Sequence, residues 1–285
     1  MVPTMQQSGV PIFISVPSTP AVTEPMIKNV FRTGPLNDRM QGIAVADYVI
    51  HKLHGQKIAI VRQSDEYGKR GADSIVNRMK QENLKPVAYE EFGAGDTDFT
   101  SQLLKIRGSE PDVLVVYGYP SPSAIITRQA RQLGIAAKIL GSNATSSRKY
   151  PQIVGQAAAG VENVITVAVL PESNDPTALA FSKRFAERFP DLAKQERPDL
   201  GDVLGYGGAL TFLEGVKRAG PDLTRPRLIA ALESIKNFST GLTMPTTFSD
   251  TSHEGNKAAR IVQIQPDLTR KLLPDVISAE QSQSH

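Results

Sequence analysis

Short β-branched runs alternate with stretches whose apolar residues recur at three- and four-residue spacing. Ile58–Gln63 (IAIVRQ) predicts a strand, and Gly71–Asn83 a helix with Ala72, Ile75, Val76 and Met79 on one face. VAYEEF, from Val87, predicts the next strand. Asp96, Thr97 and Asp98 then offer capping oxygens to a helix carrying Phe99, Leu103 and Ile106. DVLVVYG, from Asp112, is a continuous apolar run of the kind covered on both faces. A helix through Ile125, Ile126, Ala130 and Leu133 follows and stops at Gly134, a residue suited to helix ends. KILGS and NVITVAV predict two further strands. Strands separated by helices imply right-handed crossovers and a parallel sheet, whose ligands lie beyond the carboxyl ends of the strands.

After about Leu170 the pattern changes to three successive helices, Pro176–Phe189, Leu204–Ala219 and Pro226–Ile235. Phe181, Phe185 and Phe189 recur every four residues, predicting a buried stripe. TTFS and RIVQIQ predict late strands. A helical block between two sheet segments suggests a chain that leaves one lobe and later returns. The final SAEQSQSH is polar and without period, as in a loose tail.

Composition narrows the chemistry. The 285 residues are 40% hydrophobic, enough for one large core or two moderate ones. The 32 basic and 29 acidic residues are interleaved, as in QENLKPVAYEE, which argues against a nucleic-acid surface. The absence of cysteine excludes disulfides, thiolate metal sites and a cysteine nucleophile. No apolar run approaches the ~20 residues of a membrane span, and VPTMQQSGVP after Met1 lacks the pattern of a signal peptide. His51 and His54 form an H-x-x-H that reads as a solvated helix end. GAGDTDF has Asp98 where a dinucleotide fingerprint needs its third glycine. Asp65 and Glu66 read as solvated loop acids. With no nucleophile–base pair in sight, a hydrolase or transferase is disfavoured; no catalytic residue, metal or other cofactor is expected.

Six segments carry a family resemblance through their order along nearly the whole chain. They are GVPIFISVPSTPAVT, VFRTGPLNDRMQGIAVADYVI, KIAIVRQSDEYGKRGAD, FGAGDTDFTSQLLKI, PDVLVVYGYPSPSAIITRQARQLGI and MPTTFSDTSHEGN. In this sequence they resemble the periplasmic branched-chain amino-acid binding proteins, the type I solute-binding proteins of ABC transporters. The resemblance implies an α/β, two-lobed periplasmic binding protein type I fold, with parallel sheets flanked by helices and a solute held in a cleft. Lobe I is expected from residues 1–33 and 170–246, lobe II from 34–169 and 247–275, and a polar tail from 276–285. Members normally carry further strands and helices before GVPIF, so lobe I is expected to be amino-terminally incomplete, with dimerisation or strand exchange as a consequence.

The resemblance also nominates residues. Pro17, Ser18 and Thr19 match a loop whose backbone and hydroxyl groups hold the ligand carboxylate; the plain alternative is a Ser-Thr-Pro turn. Tyr67 and Tyr119 match tyrosines lining the lobe II side, where a ring packs on ligand and a hydroxyl bonds it. Asn143 stands where amino-acid binders of the family carry a glutamate, with Ser142 one position away. An amide cannot neutralise an ammonium group, which tilts the expectation toward an aromatic or aliphatic acid and weakens, without excluding, that for an amino acid; related branches of the family bind such acids or amides. Tyr206 either faces the cleft or fills space beside Gly205, Gly207 and Gly208. The implied role is the extracytoplasmic solute-binding subunit of an ABC importer, with a membrane permease as partner. The alternative is a ligand-sensing domain of a receptor or regulator.

Overall fold

A computed structural model describes residues 2–279. In chain order the elements are α1 (Val2–Ser8), β1 (Ile12–Ile14), β2 (Val30–Arg32), α2 (Asp38–Asp47), β3 (Ile58–Gln63), α3 (Glu66–Gln81), β4 (Ala88–Phe92), α4 (Thr100–Gly108), β5 (Val113–Tyr117), α5 (Pro120–Gln132), β6 (Lys138–Gly141), α6 (Lys149–Val154) and β7 (Glu162–Ile165). The helices α7 (Pro176–Arg188), α8 (Pro190–Gln195), α9 (Leu200–Ala219) and α10 (Arg225–Glu233) follow, then β8 (Ala258–Ile264) and β9 (Arg270–Ser278). The chain divides into two compact units. One comprises the chain up to residue 37 with 166–258, the other 38–165 with the chain from 259 onward.

The second unit is built on a seven-stranded sheet of order β4-β3-β5-β6-β7-β8-β9. Its first five strands run parallel, and β8 returns antiparallel to β7. All five residues of β5 are buried, as its unbroken apolar run requires. On one face Ala59, Val61, Leu114, Val116 and Ile139 meet Phe99, Leu103, Ile106, Ile126, Ala130 and Tyr150 in a single core. Each such aliphatic side chain contributes about 1.5–3 kcal/mol by leaving water.

The helix after β3 begins five residues earlier than the periodicity predicts. Asp65 caps it, its Oδ1 accepting from Gly68 N at 2.9 Å. That start is compatible with two glycines because the helix lies directly on the sheet, and a Cβ at Gly71 would overlap the Tyr117 ring. Further on, the N-cap of α4 is Phe99, with no side-chain cap; Asp98, one residue earlier, accepts from Thr100 N at 2.9 Å, and Asp96 closes a turn by accepting from Gly93 N at 2.7 Å.

The first unit holds a two-stranded parallel sheet, with Ile12, Phe13 and Ile14 opposite Val30, Phe31 and Arg32. Phe31 packs with Leu228, Ile229, Leu232, Ile235 and Phe248, flanked by Phe13, Phe212 and Val216. The helix α9 starts four residues earlier than predicted because Asp199 and Asp202 form a reciprocal capping box.

Four expectations are corrected. TTFS is not a strand: only an isolated bridge joins Thr246 to Phe238, and irregular chain follows. Phe181 and Phe185 are buried but Phe189 is 49% exposed, because α7 stops at Arg188 and the chain turns into α8. Residues 247–258 pack in the first unit, where Glu254 pairs with Arg32 and His253 stacks on Phe31 at 3.9 Å. The stretch assigned to the tail from 276 includes the end of β9, with Ile277 and Ala279 buried; residues 280–285 lie outside the described residues.

Gly71→Ala is expected to lower stability by about 1–3 kcal/mol through overpacking against Tyr117. Gly95→Ala, where an added Cβ meets nothing, should leave the urea midpoint unchanged. Equal midpoints for both variants would contradict the close approach of α3 to β5.

Candidate functional site

Three adjacent parallel strands, β3, β5 and β6, end side by side, and the residues following them carry a polar-aromatic cluster. Tyr67 lies in the first turn of α3, Tyr117 closes β5, and Tyr119 is the residue before α5, whose Pro120 suits a first helical position. The rings of Tyr67 and Tyr119 stack at 5.1 Å, and Tyr67 meets Tyr117 at 5.0 Å. Tyr67 is half-buried, yet its phenol oxygen is hydrogen-bonded with the Ser142 side chain, the Ala144 backbone N–H and the Tyr117 phenol. Ser142 also donates to the Gly118 carbonyl at 3.1 Å, joining the loop after β6 to the loop after β5. Gln63 joins the third: its Oε1 accepts from Tyr119 N at 3.1 Å while its Nε2 donates to Asp65 at 2.9 Å.

The cluster therefore has a fixed side and an open one. Tyr117 and Ser142 are fully buried, whereas Tyr119 is 47% exposed and Asn143 is half-buried at the start of a 3₁₀ turn. Among the described residues, neither the Tyr119 hydroxyl nor the Asn143 side-chain amide makes a hydrogen bond. Both can serve a ligand without breaking an existing contact. Burial raises the phenols of Tyr67, Tyr117 and Tyr119, and the nearby carboxylate of buried Asp38 raises all three further.

In the first unit, the loop Pro17–Thr19 follows β1. Arg32 donates to the carbonyls of Pro17 and of Thr19, the latter at 2.8 Å. Tyr206 sits elsewhere in that unit. Its ring meets Phe181 at 5.3 Å and its hydroxyl accepts from Arg184 at 2.7 Å, within a cavity of ≈ 510 Å³ lined also by Phe185 and Phe189. Gly207 and Gly208 are close-packing positions: a Cβ there would press on Thr243 and on Thr33 and Ser15. The structure thus gathers Tyr67, Tyr119 and the Ser142–Asn143 step, and gives Tyr206 its own partners. Sequence reading missed Tyr117 and Asp38. Tyr117 lay inside an apolar strand run, and Asp38 looked like an ordinary first-turn acid.

Comparison with known proteins agrees with this architecture. The sequence pattern of the family described as periplasmic binding protein matches residues 1–269. The chain belongs to the periplasmic binding protein family. Among curated relatives, the Leu/Ile/Val-binding protein homolog 3 of Brucella melitensis biotype 1 is 25% identical over 247 residues, covering 87% of this chain and 64% of that protein. The chain thus spans a little under two thirds of that relative's length.

Two solved structures share the type I fold. The branched-chain amino-acid ABC transporter protein of Thermus thermophilus, with bound valine, superposes with a TM-score of 0.82 at 18% identity, covering 97% of this chain and 74% of that one. A solute-binding protein of R. palustris in complex with benzoate superposes with a TM-score of 0.78 at 20% identity, covering 98% and 73%.

The buried phenols carry a pH signature. Burial pushes Tyr150 up to about 12 and also raises Tyr67 and Tyr117, whereas tyrosines of the unfolded chain lose their protons near 10. Above pH 10 the unfolded state therefore binds fewer protons than the folded one, so this stabilisation is complete below pH 10 and declines toward pH 12. Urea midpoints should fall between about pH 10 and 12. A flat profile across that interval would contradict the burial of these hydroxyls.

Proposed function

We propose that this protein is the extracytoplasmic solute-binding component of an ABC importer and that it captures a small solute bearing a carboxylate. It delivers that solute to a membrane permease and has no turnover chemistry of its own. The observation that carries the reading is the cluster at the ends of β3, β5 and β6. It offers stacked aromatic faces, an unengaged phenol at Tyr119 and an unengaged amide at Asn143, which suit an apolar body with a polar end. The loop Pro17–Thr19 is the proposed holder of the carboxylate, through hydroxyl and N–H groups. Asn143, being uncharged, favours an aromatic or aliphatic acid without an α-amino group. Membership of the periplasmic binding protein family and the benzoate complex of the R. palustris protein support this reading.

A second reading keeps the role and changes the solute to an amino acid. Asp38 favours it, because a buried carboxylate beside the three tyrosines supplies the negative charge that Asn143 lacks. The names of the Leu/Ile/Val-binding relative and the valine-bound structure point the same way.

A thermal-shift comparison of benzoate, 4-methylpentanoate and L-leucine separates the two readings, since the last two differ by the α-amino group alone. A ligand at a hundred times its dissociation constant should add about 2.7 kcal/mol to stability. Shifts with the two acids and none with leucine support the acid reading; a shift with leucine alone supports Asp38 as the counter-charge. The absence of any shift across a wider panel of carboxylates and amino acids would count against solute capture. Tyr119→Ala should weaken binding of the active ligand about tenfold or more, roughly 1.4 kcal/mol. Because Tyr119 is half exposed, the melting point of the free protein should barely move. Unchanged affinity in a calorimetric titration would remove Tyr119 from the site.

A further inference from the structure

The loop Pro17–Thr19 is held from behind by a single buried guanidinium. Arg32 ends β2 with its side chain 1% exposed, and its Nε lies 2.9 Å from Glu254 Oε2 and 3.2 Å from Oε1. Nη1 donates to the Pro17 carbonyl, and Nη2 donates to the Thr19 carbonyl at 2.8 Å and to Thr23 Oγ1 at 3.0 Å. Glu254 is fixed in turn: the Thr23 hydroxyl and Asn37 Nδ2, the latter at 3.0 Å, both donate to its Oε1. The pair balances its own charge, and the planar fork of Arg32 is directed at protein acceptors. Such a group is poorly placed to bind a solute itself.

Its effect on the loop is different. In a trans peptide the N–H points opposite to the C=O of the same plane. The Pro17–Ser18 peptide is trans. Drawing the Pro17 carbonyl onto Arg32 therefore turns the Ser18 N–H away from it, toward the opposite side of the loop. The second anchor at Thr19 fixes the next plane but one, and Pro20 after it has no N–H to misdirect.

We propose that Arg32 is the positioning residue for carboxylate recognition: it presents the Ser18 N–H to the solute's carboxylate without touching the solute. This inference rests on the reading of Pro17–Thr19 as the carboxylate-holding loop. Arg32→Lys keeps the charge but replaces a planar fork by a point donor that cannot span both carbonyls. Thr23→Val is the milder companion, keeping both charges while removing the hydroxyl that Arg32 and Glu254 share.

The test is calorimetric titration of wild type and both variants with benzoate and 4-methylpentanoate, and with benzamide and 4-methylpentanamide as uncharged counterparts. The expected result is about a tenfold or greater loss of acid affinity in Arg32→Lys, with amide affinity nearly unchanged, so that the acid-to-amide ratio collapses. Thr23→Val should move the ratio in the same direction by less, and it carries the test if the lysine variant does not fold. A role that is merely structural lowers both affinities alike and leaves the ratio intact; that outcome, or unaltered acid binding, overturns the assignment while leaving solute capture standing. Failure of wild type to bind either acid removes the carboxylate reading itself, and the role of Arg32 with it.

Discussion

Everything proposed for the second unit depends on one constraint: β3, β5 and β6 are parallel neighbours, so their carboxyl ends finish together. A parallel sheet sends each connection back across a face and brings the next strand in from the same side. The residues after these strands are therefore neighbours despite separations of 24 residues between Gly118 and Ser142 and 56 between Gln63 and Tyr119. Hydrogen bonds then lock them. Ser142 reaches Gly118, Gln63 reaches the Tyr119 N–H, and Tyr67 bonds the Ser142–Ala144 turn and Tyr117. The buried side of the cluster is satisfied within the protein, and the open side keeps Tyr119 and Asn143 in reserve.

The first unit reaches a comparable order by other means. Its described sheet has two short strands, too few to organise a loop by strand ends alone. A buried ion pair does that work instead, at the cost of desolvating two charges, a cost offset only because nearly every donor and acceptor finds a partner. The same pair ties residues 247–258 to β2. That stretch therefore belongs to the first unit although nothing in its composition announces it.

Most of the second unit was legible in the sequence because its elements follow simple periods. The runs Ile58–Gln63 and Val113–Tyr117 and the helix through Ile126 and Ala130 have no competing interpretation. Helix starts were less legible, since α3 and α9 begin on aspartate caps preceding glycine-containing turns, where apolar periodicity is still silent. TTFS failed because β propensity without a partner strand is not a strand. At the site, Tyr67 and Tyr119 were reachable from resemblance and from their position after strands. Tyr117 and Asp38 were not, because their importance comes from neighbours brought by the fold. Tyr206 shows the reverse: a position that sequence left open proves to have its own partners in Arg184 and Phe181.

The electrostatics of the site give the account its sharpest edge. The tyrosine cluster has the carboxylate of Asp38 beside it, and the proposed holder of a solute carboxylate is the Pro17–Thr19 loop of the first unit, with its hydroxyl and N–H groups. Amide shift mapping by NMR with benzoate tests this division most directly. The account predicts perturbations concentrated at residues 17–19, 66–68, 118–120 and 142–145. Perturbations confined to the cavity of Phe181, Phe185 and Tyr206, or none at saturating benzoate, would contradict it.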